Sequence, residues 1–360
     1  MKEKKTVVVG MSGGVDSSVA AYLLKEQGYH VIGVTMQIWQ EEDRCSTEEN
    51  GGCCGLSAVE DARRVAEKLG IPYYVMNFRK EFKEKVMDYF VEEYLKGRTP
   101  NPCNACNRYI KWEALLNKAR AIGADYIATG HYAQIKQLDN GRYVIQNSVT
   151  AEKDQTYALY NLTQEQLKAT LMPVGAYTKD EIRAIAEKLE LPIAKKPDSQ
   201  DICFIPDGDY GAFLEREAFE RLPGKGKFIN NTGQVLGEHK GFTHYTIGQR
   251  RGLGVAAGHR IFVTRLDVER NEVVLGEHEE LFSTHLTCDH VNWMAIPGIV
   301  DPYECIAKIR YAHKGTACIL EPMEEGRLKV TFKEPVRAVT PGQAVVFYEN
   351  DYVLGGGSIL

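Results

Sequence analysis

The chain has 360 residues, of which 44% are hydrophobic and 26% charged, and a formal net charge of −5. That length suits two or three globular domains rather than one. The composition is that of an ordinary globular protein, and the acidic balance argues against broad, nonspecific nucleic-acid binding while leaving room for a local basic surface. The first apolar run, ending at Gly10, is too short for a signal-peptide core or a membrane span. No other stretch is apolar for long enough either, so a cytoplasmic protein without membrane attachment is expected. Cysteines stand at 45, 53, 54, 103, 106, 203, 288, 305 and 318. In such a compartment the question is which of them are catalytic or metal-binding, not how they pair as a disulfide framework.

Thr6 to Gly10 predicts a buried parallel strand, followed by a glycine-rich turn and a helix with Val19, Ala20, Leu23 and Leu24 on one face. Gly28 is placed to stop that helix, and His30 to Met36 predicts a second strand. Residues 37–55 are polar and aperiodic and predict a loop. A helix is expected over 57–69, a strand over 73–78 and an amphipathic helix over 80–96. Two prolines in Arg98-Thr-Pro-Asn-Pro-Cys-Asn-Ala-Cys-Asn107 then predict an interruption, with a further helix from Tyr109 to Ile122. A strand over 126–129 ends at the turn Gly130-His131, and Asp139-Asn140-Gly141 signals a hairpin. Thr178 with Glu181 predicts a capping box for a helix to Leu189. Strands alternating with helices to about residue 205 predict an α/β, doubly wound parallel sheet. From Asp209 to Gly276 glycines are frequent, with one helix over 210–219 and short strands. Beyond His285 the runs 306–311, 328–332 and 344–348 predict a small β-barrel.

The chemistry-bearing turn is Ser12-Gly13-Gly14-Val15-Asp16-Ser17, just after a strand and opening a helix. Glycines let backbone amides close on an anion, and the helix brings its positive end to the same point. Asp16 is unusual for a bare anion site and fits phosphates accompanied by Mg²⁺. Neither the Walker sequence nor G-x-G-x-x-G is present. A glycine-rich turn that binds nothing is the plain alternative; the strand–helix context argues against it. This turn resembles the PP-loop (adenine nucleotide alpha hydrolase-like) family of ATP pyrophosphatases, whose members cleave ATP between the α- and β-phosphates, transfer AMP to a substrate oxygen and hold pyrophosphate on the loop.

Two cysteine sites stand out, Cys103-Asn-Ala-Cys106 and Cys203 in Asp198-Ser-Gln-Asp-Ile-Cys-Phe204. A thiolate is a strong nucleophile and carries a second sulfur as a persulfide, and two cysteines from separate loops can divide a sulfur transfer by thiol–disulfide exchange. A lone C-x-x-C also suits half of a structural zinc site, but no second pair stands at zinc spacing, so no structural metal is expected. Cys53 and Cys54 receive no role. Cys288, Cys305 and Cys318 lie on β patterns and read as core thiols.

With Ala128-Thr-Gly-His-Tyr132, Lys153-Asp-Gln-Thr-Tyr157, Lys196-Pro-Asp-Ser-Gln-Asp-Ile-Cys-Phe204 and Tyr245-Thr-Ile-Gly-Gln-Arg-Arg-Gly-Leu253, these motifs resemble the tRNA 2-thiouridylase family in order and over nearly the whole chain. The resemblance implies three domains: PP-loop catalytic over 1–207, central tRNA-binding over 208–278, and C-terminal β-barrel over 279–360. It implies adenylation of the C2 oxygen of the wobble uridine, then sulfur transfer from a persulfide on Cys203. Cys106 would be the partner that breaks the persulfide bond, and Asp16 a further catalytic group. ATP contacts are implied at Gly10, Met11, Ser12, Gly13, Gly14, Val15, Asp16, Ser17, Met36 and Gly130. Contacts to tRNA are implied at Asn101, Pro102, Cys103, His131, Lys153, Asp154, Gln155, Arg310, Tyr311 and Gln343. Expected partners are the lysine, glutamate and glutamine tRNA isoacceptors and a cysteine desulfurase or sulfur-relay protein. Arg250-Arg251 is a further phosphate candidate, or a solvated pair.

Part of the family has Asp where this chain has Cys103, so a second nucleophile is available. Thiolate count alone also allows an iron–sulfur cluster on Cys103, Cys106 and Cys203 with one iron open to sulfide. Competing functions are an amidotransferase-type or lysidine synthetase, neither of which needs a cysteine pair, and a tRNA-binding or sulfur-carrier protein with a degenerate loop.

Overall fold

The computed structural model describes residues 4–39, 56–197 and 202–360. Most of the loop expected over 37–55, with Cys45, Cys53 and Cys54, and residues 198–201 lie outside the described residues.

The N-terminal half is a five-stranded parallel sheet built from β1 (Thr6–Gly10), β2 (His30–Gln37), β3 (Tyr73–Asn77), β4 (Tyr126–Ala128) and the short β7 (Thr170–Leu171), in the order β3-β2-β1-β4-β7. The three valines of β1 have no exposed surface, which is what covering both faces of a central parallel strand requires. Strand alternation divides them. Val7 and Val9 pack with Val19, Ala20 and Leu24 of helix α1 (Val15–Glu26). Val8 faces the opposite cluster with Phe78, Phe82 and Trp112. Helix α1 ends where Gly28 turns to φ +89°, a left-handed backbone that glycine adopts without strain. The doubly wound expectation is borne out.

Helix α2 (Leu56–Leu69) flanks the sheet. Helix α3 runs over 79–95 and α4 over 102–121, each with a wide π segment, Lys83–Met87 in α3 and Cys106–Leu115 in α4. The start of α4 corrects the sequence reading, which placed Cys103 and Cys106 on an interrupting loop and began the helix at Tyr109. The prolines do not interrupt it. Pro102 occupies the first helical position, where its missing N–H costs nothing, and Asn101 caps the end by accepting from the Cys103 and Asn104 amides at 3.0 and 3.3 Å. Asn101→Ala is therefore expected to cost about 1 kcal/mol, read as a lowered Tm; an unchanged Tm would contradict the cap.

The hairpin β5 (Ala133–Gln137)–β6 (Tyr143–Asn147) forms as expected, but it leaves the parallel sheet and joins the C-terminal strands through the Tyr352–Gln146 pairing. Those strands are β12 (Phe282–Trp293), β13 (Tyr303–Lys308), β14 (Thr316–Pro322), β15 (Leu328–Arg337), β16 (Ala344–Glu349) and β17 (Tyr352–Ile359), and they close into an antiparallel barrel through β12 and β17. The strand expected over 306–311 ends at Lys308. Beyond it the Ile309 amide donates to His313 Nδ1 at 3.2 Å, and Arg310 and Tyr311 lie in a turn. Between the two halves, β8 (Gly226–Asn230), β9 (Val235–His239), β10 (Phe262–Asp267) and β11 (Glu272–Gly276) form a four-stranded mixed sheet in the order β10-β11-β8-β9.

The segment leading into α4 touches all three parts. A Cβ on Gly97 would come within 2.4 Å of Val268, Thr99 Oγ1 bonds Thr246 Oγ1 at 3.2 Å, and the Thr99 amide donates to Pro341 O at 2.8 Å. Among the described residues, no helix is long and apolar enough to cross a membrane.

Candidate active site

After β1 the chain adds β2 and β3 on one side and then crosses to place β4 on the other. Ligands of open α/β sheets bind at such a reversal, outside the carboxyl ends of the strands. The reversal here opens a cleft of about 730 Å³, and the turn after β1, Met36 of β2 and Gly130 just beyond β4 all line it.

The turn is fixed from below. The Met11 amide donates to Val34 O at 2.8 Å, and Thr35 Oγ1 donates to Met11 O at 2.7 Å. Gly14 caps α1 without a side-chain hydrogen bond, so its first-turn amides are not side-chain capped and the positive helix end faces the cleft. The hydroxyls of Ser17 and Ser18 fold back on the Gly14 carbonyl at 3.3 and 2.8 Å, and the Ser12 amide donates to Ser17 Oγ at 3.2 Å. Two glycines permit close approach. Gly13 has φ +70°, and a Cβ there would lie 2.4 Å from Ala58 O; a Cβ on Gly130 would lie 2.5 Å from the Ser17 nitrogen.

Asp16 is the sole carboxylate among the described residues lining the cleft, and it is already engaged. Lys179 donates to its two oxygens at 2.8 and 3.0 Å, and Tyr132 OH donates to Oδ1 at 2.8 Å. A magnesium ion on Asp16 would have to displace or share with an ammonium, so the donor set fits an ion carried by nucleotide phosphates better than one held by Asp16 alone. Lys196 reaches the turn from the other side, donating to Gly13 O at 3.2 Å and to Asp61 Oδ2 at 2.9 Å. Lys111, Lys153 and Lys196 against Asp16 give the lining a cationic balance suited to phosphate.

The cleft also carries sulfur. Cys106, on α4, and Cys203, in a turn after the strand-rich half, both line the cleft and are half-buried against the same apolar core. Cys103, one helical turn before Cys106, also lines it and is exposed. Among the described residues no three His, Cys, Asp or Glu side chains are gathered to hold a metal ion, and an iron–sulfur cluster on Cys103, Cys106 and Cys203 is not shown. Cys288 and Cys318 are buried in the barrel, and Cys305 lies 3.6 Å from Cys318 across β13–β14.

Of the residues with implied tRNA contacts, Asn101, Pro102, Cys103, His131, Lys153, Gln155 and Tyr311 line the cleft. Gln155 also braces it, accepting from the Tyr132 amide at 2.9 Å. Three others do not line it and are tied up internally. Asp154 accepts from the Ser148 and Thr156 amides at 2.9 and 3.1 Å, Arg310 donates to the Arg337 and Ala338 carbonyls, and Gln343 donates to Thr99 O at 2.8 Å. Gln343 thereby supports the segment that presents Asn101. Arg250 and Arg251 are exposed, away from the cleft.

His131 is neutral here. Burial, reinforced by the Lys111 ammonium, pushes its pKa well below the ordinary value. Lys111 has no acceptor, so His131 Nε2 must accept from it at 3.4 Å, and Nδ1 carries the proton toward Thr129 Oγ1 at 2.7 Å. A folded pKa below the unfolded one means that the unfolded chain binds the proton more readily. The stabilisation is then complete above about pH 6.5 and lost as pH falls below it. His131→Gln is expected to flatten the decline in urea stability between about pH 7.5 and pH 5.5 relative to wild type. An identical slope in both proteins would contradict the neutral assignment.

Sequence reasoning assigned no site role to Lys111, Tyr132, Lys179 or Lys196. The one local signal for Lys179 is its charge at a helix start, where a cation opposes the dipole.

Residues 5–207 match the tRNA methyl transferase HUP domain, 211–277 the tRNA methyl transferase PRC-barrel domain and 283–359 the aminomethyltransferase beta-barrel domain. Full-length relatives include the tRNA-specific 2-thiouridylase MnmA of Lachnoclostridium phytofermentans, 60% identical over 99% of both chains. Those of Acetivibrio thermocellus (56%, 99% of both) and Clostridium perfringens (57%, 99% of this chain and 98% of the relative) bear the same name. The chain belongs to the tRNA-specific 2-thiouridylase family. Membership in the 2-thiouridylases fits a cleft lined by the glycine-rich turn, Cys106 and Cys203 together.

Proposed function

We propose that this protein is an ATP-dependent tRNA sulfurtransferase that makes 2-thiouridine at the wobble position. The observation that carries the reading is the meeting of the phosphate turn, Cys106 and Cys203 in one cleft. ATP lies with its phosphates on Gly10 to Ser17 and its adenine toward Met36 and Gly130. The uridine, splayed from its loop, enters past Asn101, Pro102 and Cys103.

The uridine C2 oxygen attacks the α-phosphorus, the bond to the β-phosphate breaks, and pyrophosphate leaves with that electron pair. Cys203 carries the incoming sulfur as a persulfide. The Cys106 thiolate attacks Cys203 Sγ, the terminal sulfur leaves as hydrosulfide and adds to C2, and AMP departs. A Cys106–Cys203 disulfide remains, which an external thiol reductant returns to two thiols. Magnesium bound to the nucleotide would neutralise phosphate charge. Asp16, anchored by Lys179 and Tyr132, holds the start of α1 in register for the phosphates.

In this reading residues 1–207 carry the chemistry, 208–278 grip tRNA and 279–360 complete the tRNA surface. The substrates are the lysine, glutamate and glutamine isoacceptors, a cysteine desulfurase or relay protein supplies the persulfide, and the protein acts in the cytoplasm. Pyrophosphate release that requires tRNA tests the first half-reaction; release equal with and without tRNA would refute it. The full-length 2-thiouridylase relatives favour thiolation over the amidation and lysine-transfer alternatives.

A further inference from the structure

We propose that Lys196 is the cation that binds the departing pyrophosphate, which deepens the reading above and rests on it. The turn and first helical turn, Gly10 to Ser18, contain no lysine or arginine. A helix end supplies only about half a unit of positive charge, and pyrophosphate carries several negative charges. Beyond the magnesium that would accompany the nucleotide, any cationic side chain on the pyrophosphate must come from elsewhere in the chain.

Lys111, Lys153 and Lys196 are the lysines among the described lining residues. Lys111 is directed to Asn107 Oδ1 at 2.8 Å and to His131 Nε2 at 3.4 Å, not to an atom of the turn. Lys153 follows the hairpin that pairs with the barrel. Lys196 has its ammonium on the turn itself, 3.2 Å from the Gly13 carbonyl. Its other contact is Asp61 Oδ2 of α2 at 2.9 Å. An ammonium has three donors, and these contacts account for two; the third serves a phosphate oxygen.

Lys196 thus does from the far end of the domain what the Walker lysine does from inside its own loop. It also stands seven residues before Cys203, on the segment that carries the sulfur. The same stretch of chain therefore meets the leaving pyrophosphate and presents the persulfide.

The alternative is that Lys196 merely braces Asp61 to the turn. The two roles give opposite results on removing Asp61. Inorganic pyrophosphate and ATP would be titrated calorimetrically into the full-length wild type, Lys196→Met, Lys196→Arg and Asp61→Asn, with tRNA affinity measured in parallel. Lys196→Met is expected to weaken pyrophosphate binding about 10- to 100-fold, the effect of losing one hydrogen bond between charged groups. Lys196→Arg should keep most of the affinity. Asp61→Asn should leave it unchanged or tighter, because the ammonium loses a competitor. All four should bind tRNA alike.

Wild-type affinity in Lys196→Met, or an equal loss in Asp61→Asn, would overturn the proposal. If Lys196→Met fails to fold, the Asp61→Asn titration decides alone. Failure of thiolation with pyrophosphate binding intact would sink the sulfur reading and leave this one standing. A wild type that binds neither pyrophosphate nor ATP would overturn both.

Discussion

Cys203→Ser is expected to lower 2-thiouridine formation by more than about a thousandfold, as removal of an essential nucleophile does, while tRNA-dependent pyrophosphate release continues. Serine keeps the volume and the half-buried position but cannot carry a second sulfur. The phosphate turn is fixed by its own contacts to β2, Met11 N to Val34 O and Thr35 Oγ1 to Met11 O, which do not involve that thiol. Cys106→Ser should give the same split, with one difference. The Cys203 persulfide still loads and persists, so intact-mass measurement should find an extra sulfur on the Cys106→Ser protein and none on Cys203→Ser. Cys103→Ser is the discriminating control. Cys103 is the exposed member of the pair, at the second position of α4, whereas Cys106 is half-buried against the core that also holds Cys203. Turnover surviving in Cys103→Ser and lost in Cys106→Ser supports the assignment, and the reverse pattern transfers the role to Cys103.

The second large effect concerns backbone. Gly13→Ala puts a side chain at φ +70°, which alone costs about 1–2 kcal/mol, and drives its Cβ to within 2.4 Å of Ala58 O. Neither atom is the far end of a flexible side chain, so the turn must shift. Gly130→Ala would set a methyl 2.5 Å from the Ser17 nitrogen and 2.7 Å from the Asp16 carbonyl carbon, between β4 and the start of α1. Each is expected to weaken ATP binding by about a hundredfold or more, equivalent to about 2.7 kcal/mol. Gly14→Ala separates this from a general intolerance of the turn. Gly14 has φ −100°, and the nearest atom to its Cβ is Ser12 Oγ at 3.4 Å. Its ATP affinity should fall far less. Calorimetry on the three variants checks the order, and a Gly14→Ala loss as deep as that of Gly13→Ala would contradict the steric account.

The sequence was most legible where a local rule and the tertiary structure agree. The strand, glycine turn and helix from Thr6 to Glu26 follow from apolar run, turn chemistry and 3.6-residue period together, and the Thr178–Glu181 capping box forms as read. The reading failed at α4, where two prolines were weighed as breakers and Asn101 was not weighed as a cap. The hairpin at Asp139–Gly141 was legible as a hairpin, but its partner, Tyr352, is more than two hundred residues away. Only long-range packing decides such a pairing. The same limit hid Lys179 and Lys196. Nothing near either residue in sequence marks it as a neighbour of Asp16 or Gly13, because both contacts span more than 160 residues. Asp154, Arg310 and Gln343 make the converse point: polar residues suited to RNA by type are spent on internal carbonyls and amides.

The most direct test is a single stoichiometry. Purified protein, unmodified substrate tRNA, ATP and a persulfide donor are combined, and nucleosides from the tRNA are measured by mass spectrometry alongside released pyrophosphate. One 2-thiouridine per pyrophosphate, with no product when ATP is omitted, is the predicted result. Pyrophosphate release without sulfur in the tRNA, or sulfur incorporated without ATP, would contradict it.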